Sequence, residues 1–132
     1  MTRHIESTIQ QQCVAWFRLQ HRSLAKLLFA VPNGGARRLR EAQIMKAEGV
    51  TAGVSDLILL IARGGYNALC IEMKRESSSS RLSPAQKEWQ QLAKAAGNKC
   101  VVCRSLDDFQ REITTYLFAS RPANENLQKL KY

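Results

Sequence analysis

Two apolar runs separated by a pair of glycines restrict most strongly how this chain can fold. The first run spans residues 56–62 and the second spans residues 66–74. The Gly-Gly pair between them supplies the positive φ angles of a tight reversal, so the pattern predicts a β-hairpin. A hairpin brings the beginning of its first strand beside the end of its second. We therefore expect Asp56 to lie next to Glu72.

The end of the second run combines charge with apolar surface. Side chains alternate across a strand, so Glu72 and Lys74 are predicted on one face and Ile71 and Met73 on the other. Acids at the end of an apolar sheet are costly to bury unless a charge compensates them, and a divalent metal is the usual compensation. The pattern thus indicates a metal site at this end of the sheet.

Length and charge restrict the protein class. The 132 residues, 45% of them hydrophobic, suffice for one domain with a core. We assign it to residues 1–118 and expect residues 119–132 to form a basic, loosely ordered tail. The net charge of +9 favours a polyanionic partner, although a basic protein without a nucleic-acid role remains an alternative.

No membrane-length apolar stretch and no signal-peptide core are seen, so we expect a soluble, cytoplasmic protein of a bacterial or phage-infected host cell. We expect neither a membrane partner nor a small organic cofactor.

The four cysteines do not make a convincing metal or redox site. Cys100 and Cys103 have a zinc-like spacing, but no second pair accompanies them. A strand would also point these two side chains to opposite faces. We interpret all four cysteines as ordinary structural residues.

The periodicity along the chain predicts an α/β fold in which helices flank a mixed four-stranded sheet. Beyond the hairpin, Ser83-Pro84 is a strong helix start and Pro32 ends a short apolar strand. The hairpin pair is antiparallel, and the next strand should join by a parallel crossover. The predicted elements are a helix over 4–20, a strand over 27–31, a helix over 36–48, the hairpin, a helix over 84–97, a strand over 99–103 and a helix over 106–117.

An acid at the start of one strand and Glu-x-Lys on its neighbour resemble the PD-(D/E)xK nucleases. Four spaced motifs narrow the resemblance, and they are Val31–Gly35, Gly49–Asp56, Ile71–Lys74 and Leu82–Gln86. In this order they resemble the VRR-NUC family, the virus-type replication-repair nuclease domain, in its small stand-alone form. The resemblance runs from about Glu6 to Leu117. Ser55 departs from it, because the superfamily name places proline there.

The resemblance implies a restriction-endonuclease-like core, Mg²⁺ or Mn²⁺ as cofactor, and roles for individual residues. The implied metal ligands are Glu6, Asp56, Glu72 and the backbone carbonyl of Met73. Lys74 would act on the nucleophilic water, and Gln86 would brace the site or a metal-bound water. The residues alone leave alternatives open: Glu6 and Gln86 as solvated surface residues, and Asp56 with Glu72 as a structural pair.

A basic segment after the first strand is a candidate DNA-binding surface. Asn33 and Gly34 suit a loop approached by phosphate, and Arg37 and Arg38 follow at the predicted start of a helix. The alternative is an ordinary turn followed by a solvated basic helix face. The serine-rich segment 77–81 is either a flap over the substrate or a simple loop.

These features together predict a metal-dependent endonuclease that acts on branched or duplex DNA. The stand-alone family form implies cleavage of four-way (Holliday) junctions, as in DNA repair and recombination. Because each chain has one site and a junction needs two opposed cuts, we expect a homodimer. The alternatives are a less selective flap or duplex nuclease and a non-catalytic DNA-binding module. Apolar residues on the terminal helices that suit a symmetric interface are Trp16, Phe17, Leu117 and Phe118.

Overall fold

A computed structural model describes residues 2–32, 38–77 and 81–120. The described helices and strands follow the α/β order that the periodicity predicts, with the two hairpin strands in direct succession. In chain order the elements are α1 (Thr2–Gln20), a 3-10 helix (Arg22–Leu27), β1 (Leu28–Ala30), α2 (Leu39–Ala47), β2 (Leu57–Leu59), β3 (Leu69–Met73), α3 (Pro84–Ala95), β4 (Lys99–Cys103) and α4 (Leu106–Phe118).

The strands form one mixed sheet in the order β1-β2-β3-β4. β1 pairs with β2 and β2 pairs with β3, both antiparallel, whereas β3 pairs with β4 in parallel. A parallel neighbour requires a crossover connection, and α3 supplies it. The predicted mixed four-stranded sheet with flanking helices is confirmed.

The glycine pair forms the reversal that the sequence predicts. Gly64 has φ +59° and Gly65 has φ +86°. Backbone hydrogen bonds join Arg63 and Tyr66 in both directions, at 3.2 and 2.9 Å. Further along the hairpin, Leu57 pairs with Ile71. This register carries Asp56 to the position opposite Glu72, and so it brings the two acids together.

The two faces of the sheet have different coverings. On one face, Leu57, Ile71 and Met73 pack into a buried cluster with Phe17 of α1 and Phe109 of α4. On the other face, the thiol of Cys100 lies 3.9 Å from the carbonyl oxygen of Gln90 in α3. The sheet is therefore a middle layer, with α1 and α4 on one side and α3 on the other.

Several predicted details differ from the structure. β1 begins at Leu28 because a 3-10 helix occupies Arg22–Leu27. α2 begins at Leu39, and Arg38 before it is extended, with ψ 145°. Phe17 is fully buried, so its assignment to a dimer interface is wrong. By contrast, Phe118 is 86% exposed.

The cysteines are free thiols, as the spacing argument predicts. Cys103 lies in the core beside α4, whereas Cys100 faces α3. Burial raises the pKa of Cys103 to about 12, which makes its thiol a poor nucleophile. No helix among the residues described is long and apolar enough to cross a bilayer. Residues 121–132, most of the predicted tail, lie outside the described part of the chain.

Candidate active site

The two acids at the end of the hairpin are held by different elements. Asp56 immediately precedes β2, and its Oδ2 accepts a hydrogen bond of 2.7 Å from the backbone N–H of Met73. Glu72 lies within β3 and is only 2% exposed. The hairpin backbone thus fixes the position of one carboxylate while burial restricts the other.

The environment of Glu72 disfavours its ionised form. Burial, reinforced by the neighbouring carboxylate of Asp56, raises the pKa of Glu72 to about 9. The charge of Glu6 raises it further, and that of Lys74 lowers it. Within the described residues, the buried Oε1 of Glu72 has no hydrogen-bond partner.

Gln86 holds the other oxygen of Glu72. Its Nε2 donates a hydrogen bond of 3.0 Å to Glu72 Oε2. Its Oε1 accepts from the backbone N–H of Ser83 at 2.8 Å, and the Ser83 hydroxyl accepts from the backbone N–H of Gln86 at 3.2 Å. This reciprocal capping box begins α3 and orients the amide so that its NH₂ group points to the acid. Gln86 is therefore not a solvated surface residue.

The loop before β2 lies close against the start of α3. Gly53 has φ +86°, and a Cβ there would overlap the carbonyl of Ala85 and lie 2.9 Å from the backbone nitrogen of Gln86. Only glycine meets both conditions, the positive φ and the close approach. Gly53 thus allows the loop leading to Asp56 and the helix carrying Gln86 to contact each other.

Lys74 follows β3 and is half-buried. Its backbone N–H donates to the carbonyl of Cys103 at 3.0 Å, which extends the parallel pairing with β4 by one residue. Just beyond, Arg104 Nη1 donates to the carbonyl oxygens of Arg75, at 3.0 Å, and Ser77, at 3.5 Å. The backbone that leads away from Lys74 is thereby tied to β4. The sequence gives no local signal for this contact, because its partners are 27 and 29 residues apart.

Glu6 projects from α1 into an open cleft of about 690 Å³ that Asp56 and Met73 also line. It is half-buried, and its charge reaches Glu72. Two of the predicted metal-binding acids, Glu6 and Asp56, thus line this cleft, and the charges of both act on the third, Glu72. Among the residues described, however, no three His, Cys, Asp or Glu side chains form a ready metal cluster.

The candidate DNA-binding residues are only partly described. Arg38 is exposed and lies at the N-terminal end of α2, without a side-chain cap. Asn33, Gly34 and Arg37 lie outside the described residues. The sequence analysis missed Arg18, which lines the same cleft as Glu6. Its signal was the helical spacing that places Arg18 in one row of α1 with Ser7 and Gln11, which line the same cleft.

A comparison with family models agrees with this arrangement. The model of the VRR-NUC domain matches residues 1–107. The chain belongs to the VRR-NUC family. This membership makes it a nuclease of the PD-(D/E)xK type, with DNA as the substrate that the family implies. The matched residues include α1, the hairpin, α3 and β4, the elements that carry or support the acid site.

A solved structure supports the same assignment. A protein described as a "VRR_NUC domain protein" is 31% identical to this chain, and the match covers 92% of each. The TM-score is 0.77, so the VRR-NUC fold and its restriction-endonuclease-like core extend over nearly the whole chain. No curated protein is significantly similar to it.

Proposed function

We propose that this VRR-NUC protein is a Mg²⁺- or Mn²⁺-dependent endonuclease that cuts branched DNA as a homodimer, with the four-way junction as its substrate. The observation that supports this best is the pairing of the half-buried Asp56 with the buried Glu72. Two carboxylates at the end of an apolar sheet have no structural purpose that apolar residues would not serve better. A cation-binding role explains why the chain places them there.

The residues present fit a hard divalent cation. Glu72 contributes a buried oxygen without a hydrogen-bond partner in the described part of the chain, and Asp56 contributes a carboxylate fixed by Met73. These residues, the Met73 carbonyl and Glu6 would hold the ion, directly or through water. Oxygen ligands with several retained waters are what Mg²⁺ prefers, so a complete protein cage is not needed. When bound, the ion would supply Lewis-acid polarisation of the phosphate and a more acidic water.

The side chains of the protein position the reacting groups and supply charge at the reaction centre. Lys74 carries a positive charge beside Glu72, where it would orient the attacking water and stabilise charge developing on the phosphate. Gln86 fixes the rotamer of Glu72 through the capped first turn of α3. Asp56, held by a backbone N–H, keeps its place when the substrate arrives. Asp56 and Lys74 border strands of the sheet, and Gln86 lies in the first turn of α3.

DNA recognition is assigned to the basic and loop residues at and before the beginning of α2. Arg38 at the beginning of α2 would contact phosphates, together with Asn33, Gly34 and Arg37 before it. The net charge of +9 supports binding through the backbone of DNA and not through base edges. Such contacts suit an enzyme that recognises a DNA shape.

The junction and the homodimer rest on symmetry. A four-way junction has a two-fold axis and needs two opposed cuts, whereas the described residues of each chain offer one acid site. A less selective flap or duplex nuclease remains the second candidate, because the same site would cut both. A non-catalytic DNA-binding module is disfavoured, since acids at the binding surface repel phosphate. We place the enzyme in the cytoplasm, a proposal that its four free cysteines support.

Cleavage of labelled substrates tests the proposal directly. Purified protein is incubated with a four-way junction, a flap and a linear duplex, with Mg²⁺, with Mn²⁺ and with EDTA. We expect metal-dependent cleavage that is fastest on the junction and absent in Asp56→Asn and Glu72→Gln. Glu76→Gln, the same change at an exposed position, serves as the control. Near-normal cleavage by either site variant would contradict the metal assignment, and equal rates on all substrates would favour the less selective nuclease.

A further inference from the structure

The cleft beside the acid pair extends well beyond it. It lies between α1 and the edge strand β1, with Ala30, Val31 and Pro32 on the strand side. Polar residues dominate the helix side, whose lining residues are Ser7, Gln10, Gln11, Val14, Ala15 and Arg18. Only the end at Glu6 belongs to the acid site, so most of the cleft has no role in that site.

The helix side of the cleft follows from the periodicity of α1. Ser7, Gln11 and Arg18 are separated by four and seven residues, which places them in one row along the helix. Arg18 lies twelve positions beyond Glu6, or about 18 Å along the helix axis at the rise of an α-helix. The cleft is therefore an open track that runs along the axis of α1 and not a closed pocket.

Charge changes sign along this track. Glu6 and Asp56 are at one end, and the exposed Arg18 is at the other. Between them lie neutral hydrogen-bonding groups, of which Gln11 Nε2 already donates to Ser7 Oγ at 3.1 Å. Amides, hydroxyls and guanidinium groups are the usual partners of phosphate and sugar oxygens. A polyanion with one phosphate at the acid-bound cation would place a later phosphate near Arg18.

The size of the cleft favours a single DNA strand over a double helix. Its volume of about 690 Å³ is that of a site for a drug-sized ligand, too small to enclose a double helix. About 18 Å corresponds to about five nucleotides at the axial spacing of B-form DNA, and to fewer in an extended strand. Among the described residues that line the cleft, none is aromatic. Base stacking therefore contributes little there, and contacts to the backbone dominate.

We propose that this cleft, the α1 cleft, binds an unpaired DNA strand that leads away from the scissile phosphate, with Arg18 contacting a phosphate at its far end. The inference rests on the proposed function insofar as it takes the acid pair as the cutting site. It specifies the substrate further, because the DNA must offer a single-stranded segment next to the cut. A flap offers such a segment, and so does a junction whose exchange point is unpaired.

Binding without divalent cations separates this inference from cleavage. The probe is a fluorescein-labelled octathymidylate, compared with a hairpin duplex of equal phosphate number, in EDTA and measured by fluorescence anisotropy. Ala15→Trp fills the cleft without changing charge. Gln12→Trp, on the same helix but outside the lining, is its control. Arg18→Ala removes the distal charge, and Arg22→Ala removes an equal charge from an exposed position outside the cleft.

We expect Ala15→Trp to remove most octathymidylate binding while Gln12→Trp and duplex binding stay unchanged. Arg18→Ala should weaken binding about tenfold, the size expected for one charge-assisted phosphate contact, and reduce the salt slope by about 0.7. The inference would be overturned if Arg18→Ala and Arg22→Ala weakened octathymidylate binding equally. It would also be overturned if Ala15→Trp bound octathymidylate fully, or if Ala15→Trp lost duplex binding and octathymidylate binding to the same extent. If the cleft variants bind normally and the wild type still cuts DNA, only the cleft assignment fails. If the cleft binds the strand but no divalent cation supports cutting, only the proposed function fails.

Discussion

At the scale of single residues, the site is organised around the carboxyl group of Glu72. One of its oxygens accepts a hydrogen bond from Gln86, whereas the other is buried without a donor among the described residues. Burial and Asp56 together raise the pKa of the group to about 9, which keeps it protonated at neutral pH. A cation bound there would reverse this preference, because it stabilises the ionised form.

The stability of the metal-free protein should fall as the pH rises. In the folded chain Glu72 keeps its proton up to about pH 9, whereas in the unfolded chain it loses the proton near its ordinary pKa of 4.5. Between these values the folded state binds more protons, so the free energy of unfolding decreases, by at most about 1.4 kcal/mol per pH unit. We expect urea unfolding in EDTA to show this slope in the wild type and in Glu76→Gln.

Glu72→Gln should lose that slope, because the amide does not titrate. Between about pH 4.5 and pH 9 in EDTA the wild type should therefore lose stability relative to the variant as the pH rises, and saturating Mg²⁺ should flatten the wild-type profile. The same slope in Glu72→Gln and in the wild type would show that another group causes it. A profile that Mg²⁺ leaves unchanged would place the ion elsewhere.

The charge of Lys74 should serve turnover and not metal binding. We expect Lys74→Ala to lose about 2.7–4 kcal/mol of transition-state stabilisation, by analogy with the removal of one oxyanion-hole donor. Its affinity for Mn²⁺ by calorimetry should stay close to that of the wild type. Lys87→Ala on the exposed side of α3 is the control, with normal turnover and affinity expected. If Lys74→Ala had a much lower affinity for Mn²⁺ but normal turnover once the metal was saturating, Lys74 would serve metal binding and not turnover.

At the scale of elements, α3 links the hairpin to the site. Its first turn is fixed from two sides, by the capping box of Ser83 and Gln86 and by the close approach of Gly53 to Ala85. Movement of this turn would pull Gln86 away from Glu72. The position of the acid thus depends on the loop before β2 as well as on its own strand.

A comparison of two glycines with the same φ angle tests the contribution of the contact between Gly53 and Ala85. Gly53 and Gly65 both have φ +86°, but a Cβ at Gly65 would meet nothing within 4 Å. Gly65→Ala should therefore cost only the backbone penalty of about 1–2 kcal/mol. Gly53→Ala adds a clash with the backbone of Ala85, so it should be less stable in urea and slower in cleavage at saturating Mg²⁺. Equal losses of stability and of cleavage rate in both variants would show that the Gly53 contact has no special role.

The elements differ in how well the sequence predicts them. The hairpin and α3 follow from local chemistry, because Gly64-Gly65 and Ser83-Pro84 determine the backbone where they stand. The 3-10 helix at Arg22–Leu27 buries no residue, so it lacks the apolar periodicity that would reveal it. The approach of Gly53 to Ala85 and the contacts of Arg104 join segments that are distant in sequence. Such contacts are properties of the folded chain and leave no local pattern.

At the scale of the whole molecule, the proposed metal-binding acids come together at one end of the sheet, which gives the described part of each chain one proposed cutting site. In one binding event, such a chain would cut one DNA strand. Resolution of a four-way junction needs two breaks placed symmetrically, and a two-fold homodimer provides both. The number of active sites in the assembly should therefore determine the product.

Mixed dimers test this relation between assembly and product. Wild-type and Glu72→Gln chains carrying different tags are refolded together, and dimers that carry both tags are purified. On a plasmid with an extruded cruciform, wild-type dimers should produce linear DNA, whereas mixed dimers should stop at the nicked circle because they have one working site. Rejoined wild-type dimers treated in the same way control for damage during refolding. Linear product from mixed dimers at the wild-type rate would show that one site makes both cuts, and a strict monomer in sedimentation at micromolar concentration would rule out the homodimer.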